Sequence, residues 1–152
     1  MRRCMTDRLF FDTNLLVYGM DPRDTTKRAA STHLLKRAFG QGRMVISPQI
    51  LNECYAVLVH KRRLVSALEA ASYLATLYPA CTAPLDAQTH RAAIAVEARY
   101  RLSWWDSLAV ASALQAGCRY FVSEDLGHGQ TFDTLTIVDP FTPHAGATLA
   151  LT

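Results

Sequence analysis

Leu9-Phe10-Phe11-Asp12-Thr13-Asn14-Leu15-Leu16-Val17-Tyr18-Gly19 is the stretch that decides the fold. Three apolar residues open it as a short buried strand. An acid, a hydroxyl and an amide then arrive together, and apolar residues resume at once. A run this rich in Leu, Phe, Val and Tyr belongs in a core, where a carboxylate without a partner is costly. Asp12 is therefore expected at the C-terminal end of the strand, where the chain surfaces. In open α/β sheets ligands bind at that edge.

Outward from this stretch, Asn14 to Tyr18 reads as a short helical turn and Asp21-Pro22-Arg23-Asp24 as a loop. Thr26 to Phe39 reads as a helix stopped by Gly40 and Gly42, and Met44 to Ile46 as a second strand. Ser47-Pro48 is a helix start, an N-cap hydroxyl followed by proline at the first helical position, and this helix is expected to run to about Val65. Ser66 to Glu69 reads as a capping box opening a helix that ends before Pro79. Ala80 to Ala83 is expected as a short third strand, and Asp86 caps a helix through Tyr100. Ser103 to Asp106 reads as another capping box. It opens a helix to Ala116, small and apolar enough to pack on both sides. Tyr120 to Val122 and Leu135 to Val138 are the remaining strands. Strands alternating with helices predict a single three-layer α/β/α domain over residues 1–152, with a central parallel sheet of about five strands.

Composition bounds the function. Of 152 residues half are hydrophobic, which supports a sizeable core, and no apolar run reaches membrane-spanning length. The N-terminal segment lacks the pattern of a signal peptide, and Met5 is an alternative start to Met1. A net charge of +3 permits a nucleic-acid partner without requiring one. Cys4, Cys54, Cys81 and Cys118 are widely spaced, with no zinc-type cluster, and read as reduced thiols of a cytoplasmic protein.

Four acids occupy comparable places. Asp12 ends the first strand, and Glu53 lies early in the helix after the second. Asp106 lies in the first turn of the small apolar helix, and Asp125 follows the Tyr120–Val122 strand. In a right-handed parallel sheet, strand C-termini and helix N-termini share one edge, so the four are expected to converge there. Carboxylates gathered in this way repel unless cations neutralise them, and hard oxygen donors suit Mg²⁺ or Mn²⁺. Such ions activate water and stabilise charge at a scissile phosphate.

Each acid also has a plainer role open to it. Asp12 and Asp106 are placed to cap helices, Glu53 to be solvated, and Asp125 to be a loop acid with Glu124 as its competitor. Glu53 shares the apolar face of Ile50 and Val57, which weighs against simple solvation. Asn14 and Ser123 are candidates to support the acids, or are turn residues. Lys61, Arg62 and Arg63 are candidates for RNA phosphate contacts, as are Arg99 and Arg101, or are ordinary basic helix ends. Either of Trp104 and Trp105 is a candidate to stack on a base, with at least one expected in the core. His128, between glycines, reads as a mobile surface histidine.

At these residues the sequence resembles PIN-domain ribonucleases. The matching pieces are Phe11-Asp12-Thr13-Asn14, Ser47 to Glu53, Ser103 to Leu114 and Ser123-Glu124-Asp125-Leu126, in the family's order along nearly the whole chain. The end of the chain, through His128-Gly129 to Asp139-Pro140-Phe141, resembles VapC-like toxins. The resemblance implies a five-stranded parallel sheet between helices and Mg²⁺- or Mn²⁺-dependent cleavage of RNA. It places Asp12, Glu53 and Asp106 at the three core acids and Asp125 at a more variable fourth. It also implies a homodimer and, for a toxin of a type II pair, a cognate antitoxin protein.

Two rivals follow from the residues alone. One is a metal-dependent phosphatase, although the second Asp that usually accompanies an aspartyl nucleophile two residues on is here Asn14. The other is an RNA-binding or regulatory module with a vestigial acidic site.

Overall fold

The computed structural model describes residues 7–151. The Met1/Met5 alternative, the signal-peptide reading and Cys4 lie outside them. Among the described residues a five-stranded sheet has the order β2-β1-β3-β5-β4. Its strands are β1 (Leu9–Phe11), β2 (Met44–Val45), β3 (Tyr120–Val122), β4 (Thr131–Phe132) and β5 (Leu135–Val138). β1, β2, β3 and β5 are mutually parallel, with Phe10 opposite Val45 on one side and Phe121 on the other. β4 joins antiparallel to β5. Leu9, Phe10 and Phe11 are all fully buried, as a central strand covered on both faces requires.

Helices cover the sheet: α1 (Thr13–Tyr18), α2 (Thr25–Gly40), α3 (Pro48–Tyr55), α4 (Ala67–Ala75), α5 (Ala87–Tyr100), α6 (Trp104–Gln115) and α7 (Ala145–Leu149). Their starts follow the expected chemistry. Ser47, Ser66, Asp86 and Ser103 each accept a backbone N–H of the first turn, and Pro48 occupies the first helical position of α3. α6 is buried along Ser107 to Ala113, and its small side chains let α5 pack against it closely. Gly117 ends it at φ +71°, a conformation that a Cβ would strain.

Four expectations are corrected. The Ala80–Ala83 strand reduces to a single parallel bridge between Ile46 and Cys81, because Pro79 and Pro84 bracket the segment and stop further pairing. The helix from Pro48 does not continue as α-helix to Val65. It becomes a π-helix over Ala56–Lys61, closed by an Arg62 N–H to Val57 carbonyl bond of 2.9 Å. The capping box is complete at Asp86–Thr89, whereas Ser66 and Ser103 cap their helices without the return bond from the acid to the cap's backbone N–H among the described residues. The fifth strand is the short β4, paired to β5 through a tight turn in which Asp133 takes φ +56°.

The three described cysteines, Cys54, Cys81 and Cys118, are free thiols, and no helix of the described residues is long and apolar enough to cross a membrane.

Candidate active site

Connections leave β1 and β3 in opposite directions, one towards β2 and the other towards β5, which opens a crevice beyond their C-terminal ends. A cleft of about 650 Å³ lies there. Asp12, Glu53, Asp106 and Asp125 all line it, together with Thr13, Asn14, Gln49, Lys61 and Trp105. Each acid arrives on a different element: the end of β1, α3, the first turn of α6, and the loop after β3.

Neutral donors hold the acids. Asp12 Oδ1 accepts from the Thr13 N–H and Oδ2 from the Ser123 hydroxyl, both at 2.8 Å. Asp12 is thus both the N-cap of α1 and a wall of the cleft, so capping does not withdraw it from the cleft. Glu53 Oε2 accepts from the Thr13 hydroxyl at 2.8 Å, and Oε1 from the Gln49 amide at 2.9 Å. The same Gln49 nitrogen donates to the Trp105 carbonyl at 3.0 Å, linking α3 to α6. These two acceptors fix the amide's orientation, since the reversed one would aim its oxygen at a carboxylate and a carbonyl. Asp125 accepts from the Asn14 amide. Among the described residues none of the four acids has a salt-bridge partner.

The electrostatics follow. Burial pushes the Asp12 carboxyl up to about 6, and the charges of Asp106 and Asp125 add to the effect against the hydrogen bonds from Ser123 and Thr13. Asp125 is raised too, by partial burial first and then by the charge of Glu124. Glu124 itself turns away. It takes Lys27 Nζ at 2.7 Å and the Tyr18 hydroxyl, and those bonds outweigh its burial to lower its pKa.

Lys61 stands eight residues after Glu53. In a continued α-helix, about 100° per residue would carry it some 80° round from Glu53. The wider i→i+5 winding turns less per residue and keeps Val57 and Lys61 on Glu53's side, facing the cleft. Lys61 is exposed and forms no salt bridge among the described residues. Of the other basic candidates, Arg62 and Arg63 are exposed beyond the cleft, and Arg62 acts electrostatically on Asp21 instead. Arg99 packs over the Tyr100 ring, and Arg101 ends α5 at φ +56°. His128 is tied rather than free: its Nδ1 accepts from the Asp139 N–H at 3.1 Å.

Thr13 and Gln49 were not foreseen as supports of Glu53. The signal for Gln49 was present, because an amide four residues before an acid shares its helix face. Thr13 depends on α1 meeting α3, which no local pattern shows.

The donor set suits a hard divalent cation: four carboxylates against one lysine, with none of the four in a salt bridge among the described residues. Among the described residues, however, no group of three acids, histidines or cysteines is already drawn together in metal-holding geometry. The chemistry of the cleft fits such an ion, and closing the carboxylates around one requires side-chain movement.

No curated protein matches the chain. The family model described as PIN domain does match, over residues 9–131, a span that contains all four acids. With the sheet order, the crevice and the match in agreement, the chain belongs to the PIN domain family, a family of metal-dependent nucleases.

Proposed function

We propose that this protein is a metal-dependent endoribonuclease and the toxin of a type II toxin–antitoxin pair. The observation that carries the nuclease reading is the meeting of Asp12, Glu53, Asp106 and Asp125 in one cleft, with neutral donors as their only described side-chain partners. These four would hold Mg²⁺ or Mn²⁺. When bound, the ion supplies activation of water and neutralises charge building on the scissile phosphate.

The chain's own residues do the rest. Ser123 fixes Asp12, Thr13 and Gln49 fix Glu53, and Asn14 fixes Asp125. One of the carboxylates takes the proton lost by the attacking water. Lys61 is aimed to meet a phosphate of the RNA, with Arg62 and Arg63 as more distant contributors to the field. Glu124 serves the loop rather than the cleft.

The toxin reading rests on the resemblance of the chain's end, and with it come a homodimer and an antitoxin. An apolar groove of about 330 Å³ beside α2, lined by Leu35, Phe39, Tyr73 and Leu77, offers a surface suited to a protein partner rather than to RNA.

The test is cleavage of RNA by purified protein. Activity with Mg²⁺ or Mn²⁺ that EDTA abolishes is the expected result. Binding of RNA without cleavage under any divalent ion would support a vestigial module instead. For the toxin role, expression should arrest growth, and co-expression of a small protein from the adjacent reading frame should relieve it.

A further inference from the structure

We propose that Trp105 is a stacking platform for the nucleobase flanking the scissile phosphate, so that the cleft takes a nucleotide lifted out of its base stack. The proposal rests on the nuclease reading above and adds to it a residue that binds and positions the substrate.

The two adjacent tryptophans have different surroundings. Trp104 is half-buried and meets the His90 ring edge-on at 5.3 Å between centroids. Trp105 is 62% exposed and lines the cleft, as does Leu85, which is 40% exposed. An indole and a leucine open to solvent beside the four carboxylates form an apolar surface at the mouth of the cleft, of the kind that marks a binding site.

The backbone that carries the Trp105 ring is held relative to the acids. Trp105 immediately precedes Asp106 in the first turn of α6. Its carbonyl accepts from the Gln49 amide, the same nitrogen that holds Glu53. Lys61 lines the same cleft. A nucleotide has a flat apolar half and an anionic half, and the cleft presents a ring for one and a cation for the other. Stacking accepts any base, because every base has a π face.

A second copy of the chain is the rival occupant, and charge argues against it. A two-fold interface brings the same patch of each copy together. Here that would set the carboxylates around one Trp105 close to those around the other.

The chain has two tryptophans, so Trp104→Phe leaves Trp105 as the sole indole emitter. Titrating this variant with a short single-stranded RNA in EDTA should quench its fluorescence. In cleavage assays with Mn²⁺, Trp105→Ala should raise KM about tenfold with a smaller change in kcat, and Trp105→Phe should keep most of the wild-type KM. An RNA abasic at the flanking nucleotide should bring wild type down to the level of Trp105→Ala and leave that variant unaffected.

RNA cleavage without quenching overturns the proposal, as does an unchanged KM in Trp105→Ala or an equal loss for that variant on abasic RNA. A dimer that becomes monomeric in Trp105→Ala, with KM intact, assigns the surface to a second copy and likewise overturns it. Wild-type protein that never cleaves RNA overturns the nuclease reading. Quenching in that same protein would still support stacking, and its absence would remove both.

Discussion

Glu124 and Asp125 are neighbours in the chain, and their carboxylates are held in opposite ways. Glu124 is paired with Lys27, which also lies over the Tyr18 and Phe141 rings, and its pKa is lowered. Asp125 has an amide as its side-chain partner, and its pKa is raised. The same contrast separates Asp21 from Asp12. Asp21 is gripped by the Arg23 guanidinium and held down to about 2, whereas Asp12 is bonded to neutral donors and pushed up to about 6. Glu124 and Asp21, which brace the loops around them, are each given a cation of the protein's own. The cleft acids are left wanting one, as expected where the cation is to come from outside.

The sharpest test of this contrast is activity. Asp12→Asn, Glu53→Gln and Asp106→Asn should each lower RNA cleavage by about a hundredfold or more, and Asp21→Asn should leave it nearly unchanged. Initial rates at saturating Mn²⁺ decide this. Comparable losses from Asp21→Asn would dissolve the distinction between the two sets.

Stability against pH should show the two sets with opposite slopes in EDTA. The folded Asp12 binds its proton more tightly than the unfolded chain does, so its contribution falls as pH rises from about 4 to about 6. Asp12→Asn should therefore stabilise the metal-free protein at pH 7 by up to about 3 kcal/mol, with the difference shrinking towards pH 4. Asp21 runs the other way: its contribution is present above its unfolded pKa and is lost as pH falls towards 2. Asp21→Asn should destabilise at pH 7, with the gap closing in acid. Urea melts across pH would expose an error if both variants shift in the same direction.

The supports should cost less than the acids they hold. Thr13→Val and Gln49→Leu each free one oxygen of Glu53 and should reduce turnover about tenfold while the fold persists. Asp125→Asn should fall in the same range and vary with the metal used, and Glu124→Gln should cost least. If Glu124→Gln proves the more damaging of that adjacent pair, the fourth acid is Glu124.

The smallest effects are about 1 kcal/mol. Ser103→Ala removes the cap on α6 and should lower stability by about that amount with activity retained. Asp106→Asn should leave the metal-free protein as stable or more so, because it removes a charge facing other carboxylates. Mg²⁺ should raise the wild-type melting temperature, and less so in Asp106→Asn. An Asp106→Asn protein that is destabilised in EDTA and keeps the full Mg²⁺ shift would make Asp106 a scaffold acid.

What could be read from the sequence was what local chemistry determines. The strand ending at Asp12, the caps at Ser47, Ser66, Asp86 and Ser103, and the small-residue helix α6 all announce themselves within a few residues. The gathering of four acids followed from handedness, which any parallel sheet obeys. What escaped depends on distant partners or weak signals. Glu124 and Asp125 could not be told apart because Lys27 lies 97 positions from Glu124. β4 is two residues long and turns on Asp133-Thr134, without the Asn-Gly or Asp-Gly signature of a tight hairpin. The π-helix at Ala56–Lys61 has no composition that distinguishes it from α-helix, and Trp104 and Trp105 differ only in what surrounds them.

Arg43 ties together the edge of the sheet remote from the cleft. Its buried guanidinium donates to the carbonyls of Asp7, Leu149 and Ala150 and to the Gln41 side chain. One side chain therefore spans both ends of the described fold. Asp7 and Ala150 are near enough for a short linker to join them, and the chain could be reopened in an exposed loop away from the cleft. Such a rearranged chain would keep every contact of the cleft while changing the order in which its parts are made. A fluorophore placed at Asp7 or at Ala150 would sit behind the sheet, out of the path of whatever enters the front.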